Sequence, residues 1–149
     1  MKKIILSITA VIFSIIAFAA APVAVSEKVL SAFNKSFKDA KEVVWSEYEN
    51  FYEVKFTHNA VQAMISYDEE GNILRSRRYY FEDMLPLLIK AKIDKRYSNK
   101  KIYGITELAS DAEVAYYIIL EDDKTWLTIK SDSYGNMSTY EKFKKAPTH

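Results

Sequence analysis

The sequence predicts an α+β fold: two tandem units, each a helix followed by four antiparallel strands, with both helices on one face of a joined, curved sheet. Three observations lead there. Two segments carry apolar residues at helical spacing, and runs of strict apolar/polar alternation follow each of them. One pattern also occurs twice: Asp68-Glu69-Glu70-Gly71-Asn72 matches Asp132-Ser133-Tyr134-Gly135-Asn136 at an offset of 64. At that offset Tyr52 to Phe56 lies over Tyr116 to Leu120, Ala63 over Leu127 and Ile65 over Ile129. Upstream the offset is 60, with Phe37 over Tyr97, Lys41 over Lys101 and Glu47 over Glu107. Two copies are too few for a solenoid, so the pattern means two related units.

The chain opens with a secretory signal. Lys2 and Lys3 form a positive start, Ile4 to Ile16 is almost entirely apolar, and Ala17-Phe18-Ala19 offers the small-x-small step a signal peptidase needs. Cleavage is expected after residue 19, with 21 as the alternative. The competing reading is a membrane anchor, since Ile4 to Val25 is long enough to span a bilayer. The Ala-rich, Pro-containing end favours cleavage. Removing Lys2 and Lys3 takes two from the formal net charge of +1 and leaves −1. The units are then 26–81 and 82–145, and the destination is the periplasm or the external medium.

In the first unit Val29, Leu30, Ala32, Phe33 and Phe37 form an apolar helical stripe, with Ser26 as candidate N-cap. Val43 and Trp45 begin the strands. Tyr52, Val54 and Phe56 alternate with Glu53, Lys55 and Thr57, and Val61, Ala63, Ile65 and Tyr67 alternate with polar or flexible residues. Thr57-His58-Asn59-Ala60 reads as a hairpin tip, as does Glu121-Asp122-Asp123-Lys124 in the second unit. Gly71 and Gly135 are free to take positive φ in the next turns. The fourth strand is ambiguous, because Ile73, Arg75, Arg77 and Tyr79 on one side are no more polar than Leu74, Ser76, Arg78 and Tyr80 on the other. The second unit starts with Leu85, Leu88, Ile89, Ile93 and Tyr97 at helical spacing. Asp83 is its candidate cap and Pro86 suits its first turn.

The stretch from Val29 to Gly71 combines an apolar helix, Phe37-Lys38-Asp39-Ala40-Lys41-Glu42-Val43-Val44-Trp45, Tyr52-Glu53-Val54-Lys55-Phe56, and Asp68-x-x-Gly71. This combination resembles the PepSY-like, β-lactamase-inhibitor-like family of proteins secreted by Bacteroidetes. The family's Tyr-Pro is Phe37-Lys38 here, and the counterpart of Trp45 is Ile105. The resemblance implies a helix-plus-sheet duplication like that of β-lactamase inhibitory protein, which grips its enzyme with the concave face of its sheet. It implies no catalytic residues. PepSY modules bind or inhibit peptidases, so the resemblance points weakly to such a partner.

Composition narrows the chemistry further. The chain has no Cys, which excludes disulfides, thiol nucleophiles, zinc ribbons and iron–sulfur sites. With two His, one at a hairpin tip and one at position 149, a Ser/His/Asp triad lacks a held base, and no enzyme is expected. Asp68-Glu69-Glu70-Gly71 lacks the flanking ligands of an EF-hand loop, where Ser66 and Arg77 stand instead, so no metal and no cofactor are expected. Twenty-one Lys and Arg balance twenty Asp and Glu, which argues against a nucleic-acid partner despite Arg75-Ser76-Arg77-Arg78-Tyr79-Tyr80.

The positive signal is the second sheet face. With Tyr116, Ile118 and Leu120 toward the helix, Tyr117 and Ile119 turn away from it, and Trp126 stands where the first unit has Gln62. Phe51 and Met64 extend this surface, and Lys55, Lys130 and Arg75 supply charge at its rim. The expectation is a secreted or periplasmic binding module that takes a protein partner on this face. The alternatives are an inhibitor of a peptidase or β-lactamase, a small-ligand or ion carrier with a pocket between helix and sheet, and a face that the C-terminal segment covers or whose aromatics only pair across strands.

Overall fold

The computed structural model describes residues 23–146, so the signal segment and His149 lie outside it. The described residues form, in order, α1 (Glu27–Ser36), β1 (Lys41–Tyr48), β2 (Phe51–His58), β3 (Val61–Tyr67) and β4 (Ile73–Tyr80). A short 3₁₀ turn (Glu82–Met84) leads to α2 (Leu87–Arg96), β5 (Lys101–Ser110), β6 (Val114–Glu121), β7 (Thr125–Asp132) and β8 (Met137–Lys144). The eight strands make one open antiparallel sheet in sequence order, β1 to β8. β4 and β5 are neighbours, which joins the two halves edge to edge. Among the described residues no helix is long and apolar enough to cross a membrane.

Period-two patterning decides which side chains face the helices. Phe56, Ala63, Arg78, Glu107 and Tyr116 stand in successive register from β2 to β6. α1 buries Val29 and Phe33 on that face, against Val54, Phe56, Ala63, Ile65 and Tyr67. α2 buries Ile89 and Ile93 farther along the same face, against Tyr80, Ile105, Ile118, Leu120 and Ile129. Burying each such aliphatic side chain contributes roughly 1.5–3 kcal/mol. Aromatic rings lock the first core: Phe33 meets Trp45 and Phe56 edge-on at 5.3 and 5.0 Å. The Tyr67 hydroxyl is buried there without a hydrogen-bonding partner among the described residues, and desolvation pushes its pKa up to about 12.

Several local expectations hold. Ser26 caps α1, its hydroxyl accepting from the Val29 N–H at 3.4 Å. Gly71 and Gly135 take φ of +87° and +75°. In their turns Asp68 accepts from the Glu70 and Asn72 N–H groups and from the Asn72 amide, and Asp132 accepts likewise from Tyr134 and Asn136.

Others are corrected. Asp83 does not cap α2; it lies in the 3₁₀ turn, and Pro86 itself holds the cap position without a side-chain hydrogen bond. Leu85 therefore reaches the core from outside the helix, and Leu88 is 54% exposed. His58 is not at a hairpin tip. It ends β2 edge-on to Phe37, and Asn59 and Ala60, both at positive φ, make the turn. Val43 is exposed because a bulge at Glu42 (φ 54°) breaks the alternation of β1 just before Trp45.

Two outcomes follow. A Cβ at Gly71 would lie 3.1 Å from the Lys28 carbonyl oxygen, in a left-handed conformation, whereas one at Gly104 would meet nothing within 4 Å. In urea denaturation Gly71→Ala is expected to cost about 1–2 kcal/mol, and Gly104→Ala to be close to neutral. The second outcome concerns acid. The Asn72 amide and N–H hold the Asp68 carboxyl below its usual range, Asn136 does so for Asp132, and the Lys100 ammonium with the Lys124 N–H does so for Asp122. A depressed carboxyl pKa stabilises the fold above its unfolded value, near 3.9, and that stabilisation is lost as pH falls toward the folded value. The Tm is therefore expected to drop below about pH 4. The Tm deficit of Asp132→Ala at pH 7 should shrink across the same window.

Candidate functional site

The two helical cores do not meet directly. Between them, on the helix side of the β4–β5 pair, Arg78 and Glu107 stand in register. Glu107 is 7% exposed. It accepts two hydrogen bonds from the Arg78 guanidinium at 2.7 and 3.0 Å on one oxygen, and one at 2.7 Å on the other. The Tyr80 hydroxyl donates to it at 2.8 Å. Burial and the Glu107 carboxylate push the Tyr80 pKa far up, so the phenol stays a donor. This cluster fixes the register of the two halves and thereby shapes the opposite face.

On that opposite, open face the same strands leave a groove of about 600 Å³. Its form follows from side-chain size. One row across the sheet runs Lys55, Met64, Arg77, Leu108, Ala115. The next runs Glu53, Ser66, Arg75, Ser110. Small residues at Ser66, Ser110 and Ala115 make a floor, and Met64, Arg75, Arg77 and Tyr117 rise around it. The lining is amphipathic. Arg75 donates through Nε to the Ser66 hydroxyl at 3.1 Å and lies 5.2 Å over the Phe51 ring. Arg77 reaches the Tyr79 hydroxyl at 3.3 Å. Among the described residues neither guanidinium has a carboxylate within 4.0 Å.

Beyond the groove the open face is an aromatic shelf. Tyr117 meets Tyr140 edge-on at 5.0 Å with the Lys130 ammonium 5.9 Å above its ring. Trp126 meets Tyr103 edge-on at 4.9 Å, and Lys145 sits 4.3 Å over the indole. Ile119 is half-buried beside Gly104, which carries no side chain to cover it.

All eight residues singled out from the sequence lie on this one face, but in two groups. Met64, Arg75 and Tyr117 line the groove, and Phe51 and Lys55 border it. Trp126, Ile119 and Lys130 belong to the shelf. On the shelf Trp126 is half-buried, with Tyr103 edge-on to it and Lys145 over its indole. Lys130 is drawn to Glu113 at 3.6 Å as well as to Tyr117. Sequence reasoning missed Arg77, Leu108, Tyr103 and Tyr140. Bulges at Ile102/Gly104 and Thr128/Ile129 put Tyr103 and Tyr140 out of phase with simple alternation. Arg77 was legible only as one member of an ambiguous strand. Among the described residues no three His, Asp or Glu side chains gather as a metal-binding group.

No family model matches the chain, and no curated protein matches it. Solved structures do. The fold is similar to that of a BLIP-like protein from Bacteroides fragilis, at 14% identity and a TM-score of 0.59, covering 85% of this chain and 93% of that one. A DUF2874 family protein from Bacteroides uniformis matches at 16% identity and 0.57, covering 80% of this chain and 88% of its own. A candidate periplasmic protein from Bacteroides eggerthii matches at 13% and 0.58, covering 80% and 88%. At these identities the likeness is one of fold: an open antiparallel sheet with two helices on one face.

The Arg78–Glu107–Tyr80 cluster generates a direct prediction. Glu107→Gln weakens a largely buried, bidentate pair whose arginine keeps partial access to water, so a loss of about 1–3 kcal/mol is expected in urea denaturation. Tyr80→Phe removes a donor from the buried carboxylate and should cost about 1.5–3 kcal/mol.

Proposed function

We propose that this chain is a non-enzymatic, secreted or periplasmic binding module, and that it holds a protein partner on the open face of its sheet. On this reading 26–81 and 82–145 are two copies of a PepSY-like, β-lactamase-inhibitor-like unit, released by cleavage after residue 19. The observation that carries the proposal is the groove between the two halves. Among the described residues its two guanidinium groups, Arg75 and Arg77, have no carboxylate within 4.0 Å, and they stand beside Met64, Leu108 and Tyr117 in a lining that also holds Glu53 and Glu113. A partner loop that presents a carboxylate flanked by apolar side chains fits that lining. Arginine forks carboxylates bidentately, and Arg and Tyr are the residue types that most often anchor interfaces. Trp126, Ile119 and Lys130 would extend the contact along the shelf, and Phe51 and Lys55 would close it at the other rim.

A second reading is favoured by the similarity to a BLIP-like protein, whose name refers to an inhibitor of an enzyme. Here the partner would be a peptidase or β-lactamase, and the groove would receive a loop from the rim of its active site. Titration of the purified protein against panels of both enzyme classes separates this from general binding. Loss of activity at micromolar protein supports it, and full activity throughout rejects it.

The experiment for the main reading is affinity capture from the envelope of the native cell. Tyr117→Ala and Arg77→Glu are each expected to weaken capture by about 2 kcal/mol or more, roughly thirtyfold, while circular dichroism stays unchanged. Undiminished capture by both variants would remove the groove from consideration.

A further inference from the structure

The two outer strands carry separated copies of the contact that joins the middle of the sheet. At the offset of 64, Lys142 of β8 corresponds to Arg78 of β4, and at the offset of 60, Glu47 of β1 corresponds to Glu107 of β5. The register respects both correspondences. Arg78 lies opposite Ala63, and Lys142 lies opposite the matching Leu127. Glu107 lies opposite Tyr116, and Glu47 lies opposite the matching Tyr52. Within the chain β4 and β5 meet, and the arginine and the carboxylate form the buried pair. β1 and β8 end the sheet, and their two charged groups have no ion-pair partner among the described residues.

We infer that one copy of this chain docks on another by pairing β8 with β1, repeating the β4–β5 register. Lys142 would then face Glu47 as Arg78 faces Glu107, Phe143 would face Ser46 as Tyr79 faces Thr106, and Lys144 would lie opposite Trp45 as Tyr80 lies opposite Ile105. Charge complementarity argues for a second copy as the occupant. The exposed end of β8 holds Lys142 and Lys144 with Glu141, which in this register lies opposite Tyr48, and the exposed end of β1 and its turn hold Glu47 and Glu49. The regular parts of both edges coincide with the complementary parts. The bulge of β1 lies between Lys41 and Val44, and that of β8 lies across from Thr128 and Ile129, so Trp45 to Tyr48 and Glu141 to Lys144 are undistorted. Val44, Tyr48 and Phe143 are 60%, 49% and 54% exposed on these edges. An unpaired strand edge with such side chains is a template for another strand. The contact is heterologous, so it builds a ring if the rotation closes and an open chain of subunits if it does not.

Sedimentation velocity of the purified chain at low ionic strength, over a series rising to several hundred micromolar, tests this. The wild type is expected to associate with rising concentration and to dissociate with added salt. Lys142→Glu and Glu47→Lys each place like charges opposite one another and should weaken association by about tenfold. A mixture of the two variants makes both contacts between unlike copies complementary while each self-contact stays repulsive, so the mixture should associate as the wild type does, with the two variants alternating, which a folding defect could not produce. A wild type that stays monomeric over the whole series, or association that both single reversals leave unchanged, would overturn the inference.

Discussion

The carboxylate of Glu107 is the constraint on which the molecule depends. It is nearly fully buried, and three donor atoms, two from Arg78 and one from Tyr80, satisfy it. A buried carboxylate without such donors is strongly unfavourable, so its presence demands that β4 and β5 pair in this register and no other. A slip of one residue would turn Arg78 and Tyr80 to the open face and leave Glu107 alone among the cores. α2 packs against Val61 of β3 and Tyr80 of β4 as well as against its own strands, and this buried contact joins the six paired positions of β4 and β5 in holding the halves in one sheet.

The groove is a consequence of that register. When Arg78 faces the helices, Arg75 and Arg77 face away from them, next to the small side chains of Ser66, Ser110 and Ala115. Alternation along β4 thus assigns one arginine to stability and two to the surface. The halves then differ in what they add. The first contributes charge and Met64, and the second contributes Tyr117 and the aromatic shelf ending at Trp126.

Much of this is legible in the sequence wherever one physical rule acts alone. Val54, Phe56, Ile65, Ile118 and Ile129 are strictly alternating apolar positions, and all are buried. Ser26, Gly71 and Gly135 announce their roles through cap and turn chemistry. The fourth strand is not legible in this way. Ile73 to Tyr80 carries apolar groups in both phases, and the choice between them comes from Glu107, which is twenty-nine residues away from Arg78 in the chain. Bulges hide Val43, Tyr103 and Tyr140, because one extra residue reverses the phase of everything after it. The start of α2 misleads for a different reason: Pro86 supplies a preset backbone at the cap position and makes a capping side chain at Asp83 unnecessary. Trp126 stands on the open face as alternation predicts, and Lys145, just past β8, lies over its indole, a partial form of the C-terminal coverage that the sequence leaves open.

The claim that β4 and β5 make one structural unit of the two halves is tested most directly by native-state hydrogen exchange in low denaturant. If the junction governs the sheet, the β4–β5 amides, including Arg78 and Glu107, exchange only through the same global opening as Val54 in the first core and Ile118 in the second. One common free energy of opening is the predicted result. Exchange of the β4–β5 amides at a distinctly lower free energy than both cores, with the two cores opening separately, would contradict the account.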